Sequence, residues 1–131
     1  MSNMISYIGF FLILLALFNS IILVSSQPLL SRIDKSYQQV IFSASKIQFP
    51  IVLLSFICLI YSFLINDFSL QYVSSNSNSA LPYFYKISAT WAGHEGSMLL
   101  WCLILSFWMF LASYFSKTLD LEFRKNFLSI M

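Results

Sequence analysis

Three stretches of this chain are long enough and apolar enough to be helices across a bilayer. They run from Tyr7 to Val24, from Ile47 to Ile65 and from Met98 to Phe115, and none contains a charged side chain. At 1.5 Å of rise per residue, each comes close to spanning a hydrocarbon core about 30 Å thick. In that core a backbone N–H or C=O finds no water, and a helix satisfies both groups within the segment itself. Charged residues make up 9% of the chain, against about 25% in ordinary globular domains. A small soluble domain keeps much of its area wet and could not hide so much apolar surface. The predicted class is therefore an all-α, polytopic membrane protein, with residues 1–131 forming a single membrane domain.

The joints between the runs follow from the same reading. No Lys or Arg precedes Arg32, so the first run lacks the basic head of a secretory signal and is read as a retained helix. Asn19 and Ser20 sit in its last turns, where a neighbouring helix or the interface would satisfy them. Pro28 bars a simple continuation, and residues 31–46 are expected to form a short interfacial helix. Pro50 then falls in the first turn of the second span, where its missing N–H costs least. After the third span comes a charged joint, Lys117 to Lys125. The apolar residues from about 126 onward read as the start of a fourth span. Cys58 and Cys102 lie inside apolar runs with no Cys-x-x-Cys spacing, and are read as small hydrophobes and not as metal ligands. A net charge of +2, scattered along the chain, excludes a nucleic-acid footprint.

What remains is the loop 66–97, and the polarity is concentrated there. Val73 to Trp101 holds the single His, two of the three Trp, two of the three Gly and one of the two Glu. Six of the seven basic residues (Arg32, Lys35, Lys46, Lys117, Arg124 and Lys125) lie in the other joints, and only Lys86 is in this loop. Basic joints stay on the cytoplasmic or matrix side, so the loop is expected to face outward. A short aromatic helix starting near Pro82 and capped by Ser79 or a neighbour would suit the headgroup region, with Lys86 reaching outward. Its rings serve equally as an anchoring belt or as a platform for a ligand or partner. Glu95 fits the positive end of a helix, and Gly93 and Gly96 permit a bend or a close approach. His94 and Met98 are one helical turn apart, so they cannot fill both axial positions of one haem, and there is no second His. His94 and Glu95 are expected to be hydrogen-bonded at the mouth of the third span. No acid/base pair of enzyme-like spacing occurs elsewhere, so no catalytic residue and no metal ligand is assigned.

The stretch SNSALPYFYKISATWAGHEGSMLLW resembles the N-terminal signature of the CcmF family, the haem-lyase subunit of cytochrome c maturation. Asn76, Asn78, Pro82, Tyr85, Lys86, Trp91, Gly93, His94, Glu95, Gly96, Ser97 and Trp101 carry that resemblance, together with Asn66 to Phe68 and Tyr72-Val73. These twelve signature residues are the candidate haem or partner surface. The resemblance implies that the chain is the N-terminal component of a haem lyase attaching haem to apocytochrome c on the periplasmic or intermembrane-space side. Haem would be bound by the complete assembly, because the family's tryptophan-rich WWD segment and its haem-ligating histidines have no counterpart in this sequence. The implied partners are the remaining CcmF polypeptide, a CcmH-type apocytochrome-handling subunit, a CcmE-type haem chaperone, apocytochrome c and membrane lipid. Full members are several times longer, so the chain reads as a split-gene product or a fragment. Abundant Phe, Ile, Ser, Asn and Tyr point to an AT-rich genome, and hence to the mitochondrial inner membrane or to that of a bacterium. A structural or assembly subunit of a respiratory or transport complex, with no haem-handling role, is the competing class.

Overall fold

The computed structural model describes residues 2–25 and 35–115. Within them the chain forms five helices and no strand: α1 (Ser2–Ser25), α2 (Lys35–Leu64), α3 (Gln71–Asn76), α4 (Tyr83–Ala89) and α5 (His94–Phe115). Three are long and apolar enough to cross a membrane, over Met4–Ser25, Ser43–Leu64 and His94–Phe115, each of 22 residues. That length is about 33 Å of helix, the thickness of a hydrocarbon core. The all-α membrane architecture read from hydropathy is therefore the one observed. The expected fourth span and the basic residues 32, 117, 124 and 125 lie outside the described residues.

Helix α2 is the hub, and α1, α4 and α5 all pack against it. It is also where local expectation fails. Residues from Lys35 onward are already helical and run unbroken into the span, with Pro50 in the helix interior and not in a first turn. A proline there removes one backbone hydrogen bond, a loss that membrane helices absorb by local adjustment and by packing against neighbours. Helix α5 likewise begins at His94 and not at Met98. Hydropathy marks where the lipid begins. Backbone hydrogen bonding decides where the helix begins, and the two boundaries differ by a turn or more.

Polar side chains inside the apolar spans tie α2 to its neighbours. Asn19 Nδ2 donates to Gln48 Oε1 at 2.7 Å and to the Ala44 carbonyl at 3.0 Å. Gln48 Nε2 donates to Ser20 Oγ at 2.9 Å and to the Ala16 carbonyl at 3.2 Å. Higher on the same seam Ser55 Oγ donates to the Gly9 carbonyl at 3.3 Å. On the opposite side Ser45 and Ser113 hydroxyls meet at 3.4 Å, and Phe49 lies against Phe107 and Phe110 with ring centroids 5.4 and 5.6 Å away. Asn19 and Ser20 thus find their partners on the neighbouring helix. The outer surface of α1, including Phe10, Phe11, Leu17 and Phe18, is bare. Lipid or another apolar helix is what such a surface fits.

Candidate functional site

The loop 66–97 is built from the end of α2 onward. Asn66 takes a positive φ of 56°, and around it the N–H of Asp67 bonds the Ser62 carbonyl while its own N–H bonds that of Phe63. This is the Schellman arrangement, which needs a residue tolerant of the left-handed region just past the helix. Asn supplies that tolerance, and its buried Oδ1 finds no partner among the described residues. The requirement at position 66 is thus one of backbone conformation. Asp67, next in line, is buried. Its carboxylate accepts from Ser6 Oγ of α1 at 2.6 Å and from the Ser69 hydroxyl and N–H. The loop is thereby fastened to the first span.

Those bonds set a pH dependence. The Ser6 hydroxyl first, then that of Ser69, hold the Asp67 carboxyl below its ordinary value, against the opposing effect of burial. A carboxyl whose folded pKa is depressed contributes stability above its unfolded pKa of about 3.9, and loses it as pH falls through the lower folded value. Protection of the loop from proteolysis should therefore be constant from pH 7 to about 5 and weaken below about 4. In Asp67→Asn it should already be weakened at pH 7. A loop equally protected in both proteins at pH 7 would show that the carboxylate does not hold it.

Tyr72, on α3, organises the rest. Its ring meets Phe63 edge-on with centroids 5.5 Å apart, beside fully buried Val73. Its hydroxyl donates to the Thr90 carbonyl at 3.0 Å and accepts from the Gly93 N–H at 3.2 Å. The two signature glycines press against this ring. A Cβ at Gly93 would stand 2.6 Å from Tyr72 Cε2 and 3.2 Å from Asn76 Oδ1. One at Gly96 would collide with both the Thr90 carbonyl and the Tyr72 hydroxyl. The glycines serve close approach, one of the two roles expected of them. Tyr72, Thr90 and Asp67 carry the geometry yet were not among the candidate site residues. The Tyr72-Val73 and Asn66–Phe68 flanks hinted at two of them, and no signal singled out Thr90.

Helix α4 departs from expectation at Lys86. Tyr83, Phe84 and Tyr85 are 71%, 83% and 66% exposed, whereas Lys86 is only 5% exposed. The lysine does not reach outward. It shares the inward face with Ala89 and Thr90, the face that packs on α2, and its Nζ lies 5.8 Å from the centre of the Tyr83 ring. Nor does a side chain cap the helix. Pro82 is the N-cap and makes no side-chain cap bond, while Asn78 Oδ1 accepts from the Ala80 N–H in a turn just ahead. Packing against α2 and the fixed backbone of Pro82 hold the start in place of a Ser79 cap.

His94 and Glu95 open α5 with both side chains exposed. Neither the imidazole nor the carboxylate has a hydrogen-bond partner among the described residues. The expected hydrogen-bonded pair is absent there because the helix start points both outward. The first turn closes instead through Ser97, whose N–H bonds the Gly93 carbonyl and whose hydroxyl bonds that of His94. Of the twelve candidate residues, Asn76, Gly93 and Gly96 come together around Tyr72. Trp91 and Trp101 are exposed, as are Asn78, Pro82 and Tyr85. A cavity of about 220 Å³ opens beside this cluster, between α1 and α5, with Ser6, Tyr72, Glu95 and Leu99 on its wall. No group of three or more metal-binding side chains occurs among the described residues.

Comparison with known proteins places relatives along the whole chain. Cytochrome c-type biogenesis protein CcmF of Pseudomonas aeruginosa is 42% identical over 130 residues, which are 98% of this chain and 20% of that protein. CycK of Rhizobium meliloti is 36% identical over 129 residues, 97% of this chain and 19% of its own length. CcmF of Escherichia coli K12 is 46% identical over 77 residues, 59% of this chain and 12% of that protein. The chain therefore spans about a fifth of the length of the first two of these relatives. No protein-family model matches it, and neither does any solved structure.

Proposed function

The chain belongs to the CcmF family of cytochrome c-type biogenesis proteins, and from that premise we propose that it is the N-terminal part of a haem lyase. In this reading it contributes three membrane helices and an outward loop to the assembly that joins haem to apocytochrome c. The observation that carries the proposal lies in the loop. Its glycines, Tyr72 and Asp67 are consumed in building a rigid scaffold, while Tyr83, Phe84 and Tyr85 are left bare on its surface. Exposed rings on a rigid support suit a face that receives a flat apolar cofactor or a partner subunit. The haem ligands would come from elsewhere in the assembly, as would the contacts to CcmH-type and CcmE-type proteins and to apocytochrome c. The loop would face the periplasm or the intermembrane space, since Lys86 is its only basic residue, and the host membrane would be the inner membrane of a bacterium or of a mitochondrion.

Depletion of this chain in its own host should abolish covalent haem on c-type cytochromes, read by haem-staining gels, while haem b proteins persist. Normal staining after depletion would refute the proposal. Orientation is read separately with Ser79→Cys, an exposed position on the loop. An impermeant maleimide should label it from the outer face of intact cells or mitoplasts, and labelling solely from the inner face would reverse the topology.

His94 offers a sharper check on chemistry. Exposed and without a hydrogen-bond partner among the described residues, it should tolerate His94→Ala, Asn or Gln within about 0.5 kcal/mol of stability, as surface changes do. The reduced haem spectrum of the assembled complex should stay the same in all three. Loss of that spectrum at unchanged protein level would make His94 an iron ligand.

A further inference from the structure

The cavity beside Tyr72 has walls of hydrocarbon and a single charge. It follows α1 from Ile5 to Ile13, with Leu59 of α2 and Leu99 of α5 among its other walls, and holds about 220 Å³. Helices α1 and α5 each pack on α2, and the cavity opens between them toward the bilayer. The hydroxyls along it are already spent. Ser6 donates to Asp67, Ser55 to the Gly9 carbonyl, Ser62 to the Cys58 carbonyl and Tyr72 to the Thr90 carbonyl. A bound water needs about two to four polar partners, and these walls do not offer them. Glu95 is the one charged residue among those lining the cavity, and it stands with Tyr72 at the loop end. Its carboxylate has no hydrogen-bond partner among the described residues, and the second carboxylate at that end, Asp67, is occupied by Ser6 and Ser69.

We infer that this cavity holds one acyl chain of a phosphatidylethanolamine, whose primary ammonium donates to the Glu95 carboxylate at the mouth. Shape selects the chain. From Ile5 to Ile13 the cavity runs about 12 Å along α1, close to one leaflet of a hydrocarbon core about 30 Å thick. A further helix, about 10–12 Å across, would need several times the volume over that length. A dry apolar cavity of about 150 Å³ already takes a benzene, so 220 Å³ accommodates a single hydrocarbon chain. Charge selects the headgroup. An unpaired carboxylate at the edge of an apolar slot is satisfied by a cation that carries N–H donors. A primary ammonium supplies both, a choline has the charge without the donors, and a glycerol headgroup leaves the phosphate facing Glu95 with no cation between. The inference goes beyond the proposed function and does not depend on it, since it stands on the cavity and its carboxylate alone.

Phosphatidylethanolamine carrying a diazirine midway along one acyl chain, added to native membranes and irradiated, reads the site directly. Mass spectrometry should find the adduct on the cavity walls, at Ile13, Leu59 or Leu99. In the parent protein, phosphatidylcholine and phosphatidylglycerol probes with the same chains should label those walls about fivefold less. Leu99→Trp, which fills the cavity, should remove most of this labelling, whereas Leu105→Trp, on the exposed side of the same helix, should leave it intact. Glu95→Gln should keep the adduct and abolish the preference for ethanolamine. Equal labelling by the three lipids in the parent protein overturns the headgroup assignment without recourse to any variant. Labelling that survives Leu99→Trp, or that falls only on outward side chains such as Phe10 and Phe11, means lipid at the bare surface and overturns the site. Wall residues that no lipid probe reaches mean that another polypeptide fills the cavity, and this overturns it as well. The readout is a lipid adduct, so it is indifferent to whether c-type cytochromes mature, and the proposed function fails or stands by its own haem-staining test.

Discussion

Gly96→Ala should cost about 3 kcal/mol, at the upper end of the range for overpacked sites. The added methyl meets the Thr90 carbonyl, a piece of backbone, together with the Tyr72 hydroxyl. Neither moves freely, because the two are hydrogen-bonded to each other at 3.0 Å and Thr90 is fully buried. The cost is steric, since Gly96 does not occupy a left-handed conformation. Gly93→Ala gives the contrast. Its methyl meets side-chain atoms of Tyr72 and Asn76 and no backbone, so a smaller cost of about 1–2 kcal/mol is expected. Tyr72→Phe should relieve part of the Gly93→Ala defect and leave most of the Gly96→Ala defect, because the Thr90 carbonyl remains. Unfolding equilibria in mixed micelles, measured for the three single variants and the two doubles, decide the matter. A Gly96→Ala protein within 0.5 kcal/mol of the parent, the scale of neutral surface changes, would mean that the loop is not packed as described.

Gln48→Leu should be the most damaging change within the spans, at about 2–3 kcal/mol. It removes three hydrogen bonds at once, to Asn19, Ser20 and the Ala16 carbonyl, and interhelical bonds in bilayers are worth about 0.6–1.7 kcal/mol each. Asn19→Leu removes two and should cost less. The double variant is the informative one. Once both polar groups are gone neither is stranded, and two leucines can pack across the seam, so its cost should fall well below the sum of the singles. Additive costs would show that the two amides act separately. Since α1 meets the bundle chiefly along α2, its loss should be visible as faster proteolysis of α1 while the α2–α5 pair persists.

The contrast between those two sites shows what could be read in advance. Asn19 and Ser20, lodged in an apolar run, already required a neighbour, because hydrocarbon offers polar groups no other partner. Nothing in the residue pattern said that the neighbour would be Gln48, at the start of the predicted second span. The same holds for Gly96. Its presence in a signature suggested close approach, but Tyr72, twenty-four positions earlier, became its partner only through the folding of α3 against Phe63.

The sequence by itself determined the number of apolar spans and their helical nature, and through the family signature the class of protein. These depend on hydropathy summed over a window, or on identity at many positions, and neither is sensitive to where one side chain points. The tertiary structure alone decided the rest. It ran α2 through Pro50, turned Lys86 inward and the α4 rings outward, exposed His94 and Glu95, and gave Asp67 to Ser6 of the first helix. A short helix of seven residues such as α4 has too little periodicity to announce its buried face. Which side it buries is settled by the surface of α2 it packs against, and that surface exists only in the fold.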